Sequence, residues 1–245
     1  MPGGQACESD RWFLIYEVSK MNSPVPLNEE ERLQALKQFG ILDSESERTF
    51  DDLAALAAYI CDVPMATITL VDSDRQWFKS RIGIEATETP RNISFCAHTI
   101  LGKVPLIVKD ALNDPRFSGS PLVQENPKIR FYAGFPLTSS DEHSLGALCA
   151  IDRRPRELTE AQQTAMGSLS RQVMALLNLR RTSASLADAL SRVKTLEGLL
   201  PMCAWCKRIR DENGQWSRLE QYLSARTSAS FTHGICQECL QQLKP

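Results

Sequence analysis

The residues best suited to chemistry are four cysteines near the C-terminus, arranged as two CxxC pairs. Cys203 pairs with Cys206 and Cys236 pairs with Cys239, all within 37 residues. Each CxxC turn can aim two thiolates at one ion, and two such turns complete the tetrahedron that zinc prefers. The second pair is expected to open a helix, whose dipole favours thiolate. The spacing therefore predicts a zinc site with four cysteine ligands.

Two alternatives to this site stay open. His233 lies three residues before Cys236 and could replace one cysteine as a ligand, or it could be a packing residue. The pairs could also act as a redox dithiol. Zinc is favoured because residues 201–245 are too few for a secure core, which a metal would stabilise directly. In a reducing compartment, moreover, paired CxxC motifs indicate metal rather than disulfides.

Composition and charge argue against several classes of function. The 245 residues carry a formal net charge of −2, so no overall field attracts nucleic acid or an anionic membrane. Residues 201–245 hold six Lys or Arg against four Asp or Glu, too even a balance for strong phosphate attraction. No apolar run approaches the roughly 20 residues of a membrane-spanning helix. We therefore expect a cytoplasmic protein that binds neither membrane nor nucleic acid.

The chain is expected to have four parts. Residues 1–27 show no hydrophobic period and should form a poorly ordered arm, within which Met21 is a candidate true start. Residues 28–181 should form a domain, residues 182–200 a linker helix and residues 201–245 the zinc module. The linker favours a two-stranded coiled coil, hence a homodimer, although a single helix lying on its own domain is the alternative. The heptad positions are Leu179, Leu186, Val193 and Leu200.

Residues 28–181 show the pattern of an α+β domain. The apolar runs Phe131–Leu137 and Leu145–Ile151 flank a polar break, which predicts a hairpin buried in the middle of a sheet. Met65–Val71 and Gln76–Ile82 predict another antiparallel pair, and Leu106–Val108 a further strand. Amphipathic helices are expected before these strands and after the hairpin. Capping-box spacings at their starts are Asn28 with Glu31, Ser44 with Glu47, and Thr159 with Gln162.

The same residues carry a family resemblance. The segments ILDSESERTFDDL, DRQWFKSRIG, RNISFCAHTI, DPRFSGSPLV, IRFYAGFPL and LGALCAID follow one another in family order, so residues 28–181 resemble a GAF domain of the bacterial signalling type. The resemblance implies an antiparallel sheet of five or six strands, with helices on one face and a ligand pocket on the other. Residues 199–245 resemble a short cysteine-rich module that ends some bacterial signalling proteins.

Aromatic and basic residues fall in segments that border the pocket in relatives. Such a mixture could hold an anionic or ring-bearing small molecule. Alternatively, Arg91 and Arg116 could pair with Asp110 and Asp114 and hold the loops. Some relatives attach a bilin within FCAHTI, but there a histidine directly follows the cysteine, and here Ala97 intervenes. The expected ligand-binding residues are Trp77, Arg91, Cys96, His98, Arg130 and Tyr132, with Arg75, Lys79 and Arg116 nearby.

The sequence shows no convincing catalytic set. It predicts a sensory or regulatory protein in which a small ligand, or a redox change, alters the GAF domain, and the linker helix relays the change to the zinc module and a signalling partner. The alternative is a thiol reductase similar to the free methionine sulfoxide reductases, which are also GAF proteins. Their cysteine motif is not matched here, and Cys149 lies in an apolar strand where a thiol is expected to be inert.

Overall fold

The computed structural model describes residues 24–192, 200–227 and 229–242. The chain divides into two compact units, Met1–Ser183 and Ala184–Pro245. Most of the expected N-terminal arm, Met21 included, lies outside the described residues. So do residues 193–199 of the expected linker, with Val193 among them.

The first unit is built on a six-stranded antiparallel sheet with the order β3-β2-β1-β6-β5-β4. The central strand β6 pairs with both β1 and β5 and is buried at all nine positions, as its uninterrupted apolar run predicted. The short edge strand β3 pairs with β2. The strands are β1 Met65–Val71, β2 Arg75–Ile82, β3 Glu88–Pro90, β4 Leu106–Val108, β5 Phe131–Thr138 and β6 Ser144–Asp152.

Helices cover the two faces of this sheet differently. Three helices pack on one face through a large apolar cluster: α1 Glu29–Gln38, α2 Arg48–Cys61 and α5 Glu160–Arg192. Two short helices, α3 Phe95–Thr99 and α4 Pro121–Gln124, lie on the other face beside a second cluster. None of the helices in the described ranges has the length and apolar character needed to cross a bilayer.

The alternation of β1 shows how one strand serves both faces. Ala66, Ile68 and Leu70 belong to the cluster under the three long helices. Met65 and Val71 belong to the cluster on the opposite face. Because successive side chains of a strand point to opposite sides, the two threonines at positions 67 and 69 share the second face.

Of the three expected capping boxes, one is confirmed. The Thr159 backbone N–H donates to Gln162 Oε1 (2.9 Å), and the Gln162 N–H donates to Thr159 Oγ1 (3.2 Å). The boxes at Asn28 and Ser44 are wrong. The Asn28 amide instead contacts His143 Nδ1 (3.1 Å), and the Ser44 hydroxyl donates to the Ile41 carbonyl (2.7 Å). Ser120 caps helix α4 by accepting from the Leu122 N–H (3.3 Å).

The second unit contains little regular structure. Strands β7 Ile209–Arg210 and β8 Trp216–Ser217 form a hairpin, followed by α6 Leu219–Ser224 and α7 Gln237–Gln242. Helix α7 begins directly after Cys236, as expected from the sequence. Among residues 200–227 and 229–242, the buried hydrophobic side chains are Ile209 and Tyr222. Trp205, by contrast, is 94% exposed.

Candidate functional site

A cavity of about 1340 Å³ opens on the sheet face that carries α3 and α4. The strands contribute Thr67 and Thr69 from β1 and Gln76 and Phe78 from β2. Apolar walls come from α3, α4 and the segments around them. The polar part of the wall had a sequence signal that the predicted ligand-binding residues do not include: Thr67 and Thr69 occupy alternate positions of an otherwise apolar strand. The remaining lining includes Ile84, Ile93, Phe95, Cys96, Leu122, Ile129, Tyr132 and Ile151.

Charged residues of the lining are mostly acidic. Glu85, Glu88 and Glu125 stand against a single arginine, Arg153. Glu88 is engaged by the Arg75 guanidinium at 2.6 Å, and Arg153 Nε donates to the Pro127 carbonyl at 3.1 Å. The charge balance therefore favours a neutral or cationic ligand over an anion.

A polar cluster lies where α3 meets the sheet. The Tyr132 hydroxyl is 2.7 Å from Thr99 Oγ1 and 3.5 Å from the sulfurs of both Cys96 and Cys149. The two sulfurs are themselves 3.5 Å apart. Gly134 leaves the space for this arrangement, since a Cβ there would stand 2.2 Å from the Tyr132 hydroxyl oxygen. Four polar side chains thus meet in a buried site.

The two thiols of this cluster differ in acidity. A hydrogen bond from Cys149 lowers the pKa of Cys96 against the opposing effect of burial. Burial raises the pKa of Cys149 well above its ordinary value, and burial likewise raises that of Tyr132. Cys149 lies in the buried strand β6, as expected, and its sulfur also contacts a second thiol and a phenol.

Of the six expected ligand-binding residues, Cys96 and Tyr132 line the cavity. Trp77 belongs instead to the core under the long helices, because it alternates with Gln76 and Phe78 along β2. The His98 ring packs edge-on against Phe117 with centroids 4.8 Å apart. Burial, followed by the nearby positive charge of an arginine, lowers the pKa of His98.

Arg91 and Arg130, the two arginines expected to bind a ligand, instead form hydrogen bonds within the protein. Arg91 Nη1 donates to Glu29 Oε1 (2.6 Å) and to the Asp72 carbonyl (2.9 Å). Arg130 Nη1 donates to the Val123 carbonyl at 2.8 Å. Neither lines the cavity. The loop-holding alternative therefore describes Arg91 better, although Arg91 pairs with Glu29 and not with the acidic loop residues first considered. Arg130, which that alternative did not include, is likewise bonded to the backbone.

That alternative also fits Arg116. Its Nη2 lies 2.6 Å from Asp114 Oδ2, within the loop that precedes α4. The hydrogen bond from Arg116 is the main cause of the lowered pKa of Asp114. The loop residue Asp110 instead accepts from the side chain of Asn113 at 2.7 Å.

An ionic network joins the cavity strand β2 to the long helix α5. The side chain of Lys79 is fully buried, and its Nζ lies 2.8 Å from Glu47 Oε1. The same oxygen accepts from Arg180 Nε of α5 at 2.9 Å. Lys79 immediately follows Phe78, which lines the cavity. One carboxylate oxygen therefore links a cavity wall to the helix that leads out of the domain.

Each CxxC pair of the second unit forms a local turn suited to thiolate. Cys203 Sγ accepts from the Cys206 backbone N–H at 3.5 Å, and this N–H is the main cause that lowers the pKa of Cys203. The Cys239 N–H lowers the pKa of Cys236 in the same way. Within the described ranges, no three His, Cys, Asp or Glu side chains are grouped closely enough to hold a metal ion. Each pair has the donor chemistry for half a zinc site, and the pairs do not converge.

Sequence comparison places the first unit among known proteins. A family model described as GAF domain matches residues 45–177, just over half of the chain. A cyclic di-GMP phosphodiesterase of Pseudomonas aeruginosa is 41% identical over 161 residues, which are 65% of this chain and 27% of that protein. The chain therefore spans about a quarter of the length of this curated relative.

Two solved structures are similar to the chain at lower identity. The GAF domain of a phosphoenolpyruvate-protein phosphotransferase from Coxiella burnetii has a TM-score of 0.49 at 13% identity, covering 67% of this chain and 99% of that one. The free methionine-R-sulfoxide reductase of Neisseria meningitidis, in complex with its substrate, has a TM-score of 0.47 at 18% identity, covering 63% and 90%.

Proposed function

Because the chain belongs to the GAF domain family, we propose that it is a sensory or regulatory protein of the cytoplasm. In this proposal the cavity binds a small molecule, α5 relays the bound state, and the cysteine module contacts a signalling partner. The observation that carries the proposal is the cavity of about 1340 Å³, which joins polar strand positions to apolar walls. Ligand pockets typically combine a concave apolar surface with a few polar groups that fix orientation.

The chemistry of the lining narrows the ligand class. Thr67, Thr69, Gln76 and Tyr132 place uncharged polar groups in the cavity wall, where each is already hydrogen-bonded to a neighbouring side chain. The acidic excess of the lining disfavours an anion. A neutral or cationic molecule with an apolar or ring portion fits these walls best. Of the anionic or ring-bearing molecules expected from the sequence, the proposal keeps the ring-bearing class.

The Lys79–Glu47–Arg180 network supports the relay. A ligand that displaces β2 at Gln76 or Phe78 also shifts Lys79, and with it the carboxylate that holds Arg180. Coupling requires the ligand to favour one of two positions of α5. Three leucines of α5 are exposed, at 63% for Leu179, 59% for Leu186 and 63% for Leu190. We include a homodimer through this face in the proposal, since these positions continue the heptad pattern.

The relative from Pseudomonas aeruginosa supports a signalling context. Its name describes a cyclic di-GMP phosphodiesterase, and the matched region makes up 27% of it. In this proposal the matched region of the present chain is regulatory. The partner of the present chain would then be a protein of the same kind of signalling.

A cavity-filling substitution tests ligand binding. Ile84→Trp adds a large ring to a partly buried position in the cavity wall, whereas Val104→Trp adds it at a position 73% exposed and outside the cavity. Melting curves of the full chain would be measured against a library of neutral and cationic metabolites. Compounds that raise the Tm of the parent and of Val104→Trp should leave Ile84→Trp unchanged. The same rise in all three proteins, or no rise with any compound, would contradict a ligand site in this cavity.

Zinc is the proposed cofactor of the second unit, held by Cys203, Cys206, Cys236 and Cys239. The thiolate-favouring turns of both pairs support it, together with the small number of buried apolar side chains. The ion would supply a structural crosslink, and binding would bring the two pairs together. His233 as a replacement ligand remains the alternative.

A thiol reductase is the second candidate function, favoured by the 3.5 Å approach of Cys96 and Cys149. Such an enzyme would oxidise two thiols to a disulfide while a sulfoxide becomes a sulfide and water is released. Turnover of free methionine sulfoxide by the parent, lost in Cys96→Ser and kept in Cys61→Ser, would establish it. Absence of turnover by the parent removes this candidate.

A further inference from the structure

The polar cluster between α3 and β6 contains two thiols whose sulfur atoms are in direct contact. Cys96 is 4% exposed and Cys149 is fully buried, and their sulfurs are 3.5 Å apart. We propose that these two cysteines form a reversible disulfide when a hydroperoxide enters the cavity, so that the first unit carries a peroxide-sensitive modification site. The disulfide forms whether or not the cavity also binds a signal molecule, so the two proposals can fail independently.

The geometry requires only a small movement. A disulfide places its sulfurs about 2 Å apart. Cys149 lies in the central strand β6, which is hydrogen-bonded to a strand on each side. Cys96 lies in α3, a helix of five residues beside the cavity. The short helix can shift more easily than the central strand, so oxidation would draw α3 toward the sheet and reshape the cavity wall.

Access decides which sulfur reacts first. Cys96 lines the cavity, whereas Cys149 does not. Cys96 is also the thiol whose pKa is lowered, by its hydrogen bond with Cys149 and by the one that the Tyr132 hydroxyl donates to its sulfur, and thiolate is the reactive form. Cys96 therefore has the features of the attacking residue and Cys149 those of the resolving residue.

The chemistry balances with the hydroperoxide as the only oxidant. The Cys96 thiolate attacks the terminal oxygen of the hydroperoxide, an S–O bond forms, the O–O bond breaks, and an alcohol leaves with the proton of the thiol. Cys149 then attacks the sulfur of the sulfenic acid, so that an S–S bond forms, the S–O bond breaks and water leaves. Two thiols lose two electrons in total, and one hydroperoxide is reduced to alcohol and water. A dithiol reductant reverses the change.

The surroundings favour this reaction over simple burial of two thiols. The Tyr132 hydroxyl is within 3.5 Å of both sulfurs and 2.7 Å from Thr99 Oγ1, so a hydrogen-bond donor stands beside the reacting atoms. Gly134 keeps the position of this hydroxyl free. Cys61 contrasts with Cys96 within the same unit, since burial raises the pKa of Cys61 to about 11 whereas that of Cys96 is lowered.

Peptide mapping of the full chain tests the proposal without any substitution. Reduced protein would be exposed to hydrogen peroxide, its free thiols alkylated, and the protein digested with trypsin. Cys96 falls in the tryptic peptide 92–103 and Cys149 in the peptide 131–153, and each peptide holds one cysteine. We expect these two peptides to appear linked after peroxide, with the mass of two hydrogens lost, and to separate after treatment with a dithiol.

Two variants sharpen the result. Cys149→Ser should abolish the linked peptide and leave a sulfenic acid on Cys96 that a dimedone-type reagent traps, whereas Cys61→Ser should link as the parent does. The proposal is overturned if both peptides of the parent stay alkylated at peroxide levels that oxidise the CxxC pairs. It is equally overturned if Cys96 accumulates as sulfinic acid without linkage, because Cys149 would then not resolve it.

Discussion

The two units of this chain differ in the interactions that can stabilise the fold of each. The first buries two apolar clusters on the two faces of a six-stranded sheet, and its strand β6 is buried throughout. In the second, over residues 200–227 and 229–242, Ile209 and Tyr222 are the buried hydrophobic side chains. Burial of apolar surface is the main favourable contribution to folding, so it can account for the first unit and not for the second.

The same contrast applies to their cysteines. In the first unit Cys96 and Cys149 come from distant parts of the chain and meet in a preformed polar cluster. In the second unit each cysteine pair is formed by a local turn, and the two pairs stay apart. The first unit therefore has a site built by its fold, whereas the second would acquire its fold from its site.

The largest effect is expected from Cys236→Ser. This substitution removes one of the four proposed zinc ligands, so the second unit should lose its metal and its resistance to proteolysis. The melting of the first unit should stay within error of the parent. Metal content, limited proteolysis and a melting curve of the full chain measure this, with Cys61→Ser as the matched control. If the parent from which the metal has been removed resisted proteolysis as well as the metal-loaded parent, the proposed role of zinc would be contradicted.

A substitution in the core of the first unit should have the converse effect. Leu148→Ala deletes a side chain that is fully buried in β6 and should lower the free energy of unfolding by about 2–5 kcal/mol. Zinc content should not change. Leu56→Ala, at a position 47% exposed on α2, is the control and should cost far less. Denaturant titration gives both values, and equal losses would show that burial does not distinguish these sites.

Gly134→Ala should disturb the polar cluster. The added Cβ would lie 2.2 Å from the Tyr132 hydroxyl and 2.6 Å from Thr99 Oγ1, so one of them must move. We expect a loss of about 1–3 kcal/mol in the free energy of unfolding, together with a slower formation of the Cys96–Cys149 disulfide. Gly119→Ala, where no atom lies within 4 Å of the added Cβ, should leave both quantities unchanged. Unchanged stability in Gly134→Ala would refute the tight packing of this cluster.

The smallest effect is expected from Glu47→Gln. Burial opposes ionisation of Glu47, but hydrogen bonds from Lys79 and Arg180 outweigh it and lower its pKa below the ordinary 4.5. The stabilisation that ionised Glu47 provides is therefore fully present above about pH 4.5, the ordinary pKa of the group. It is lost as the pH falls through the lowered pKa of the folded state. The loss at neutral pH is limited to about 1 kcal/mol, because 37% of this side chain is exposed and Lys79 Nζ keeps its hydrogen bonds to Ser44 Oγ and the Glu45 carbonyl.

Unfolding curves of parent and Glu47→Gln from neutral to acid pH check this prediction. The difference between the two proteins should shrink as the pH falls. Glu31→Gln, at an exposed position of α1, serves as the control and should match the parent throughout. If the difference in the free energy of unfolding grew as the pH fell, ionised Glu47 would not stabilise the folded state as proposed.

Much of the fold was predictable because it depends on local patterns of apolar and capping residues in the sequence. The unbroken apolar run of β6 predicted a buried strand, the β-branched and apolar residues of β1 predicted a strand, and Thr159 with Gln162 predicted the start of α5. The capping box at Ser44 failed because the hydroxyl of Ser44 finds a carbonyl three residues earlier. Local spacing alone cannot rank such competing partners.

The candidate site was less predictable because it depends on distant contacts. Arg91 has the charge of a ligand-binding residue, but its partner Glu29 lies 62 positions away. Cys96 and Cys149 are separated by 53 positions and meet only after α3 packs on the sheet. Trp77 differs from its cavity-lining neighbours only by the alternation of β2, so its side could not be assigned before the register of the strand was known.

Native mass spectrometry of the full chain tests most directly the claim that the two units carry separate sites with separate means of stabilisation. The parent, Ile84→Trp and Cys203→Ser would be purified in the same way and compared. We predict that the parent carries one zinc ion and a small molecule, that Ile84→Trp loses only the small molecule, and that Cys203→Ser loses only the zinc. Loss of both from either variant, or a parent that carries neither, would contradict the account.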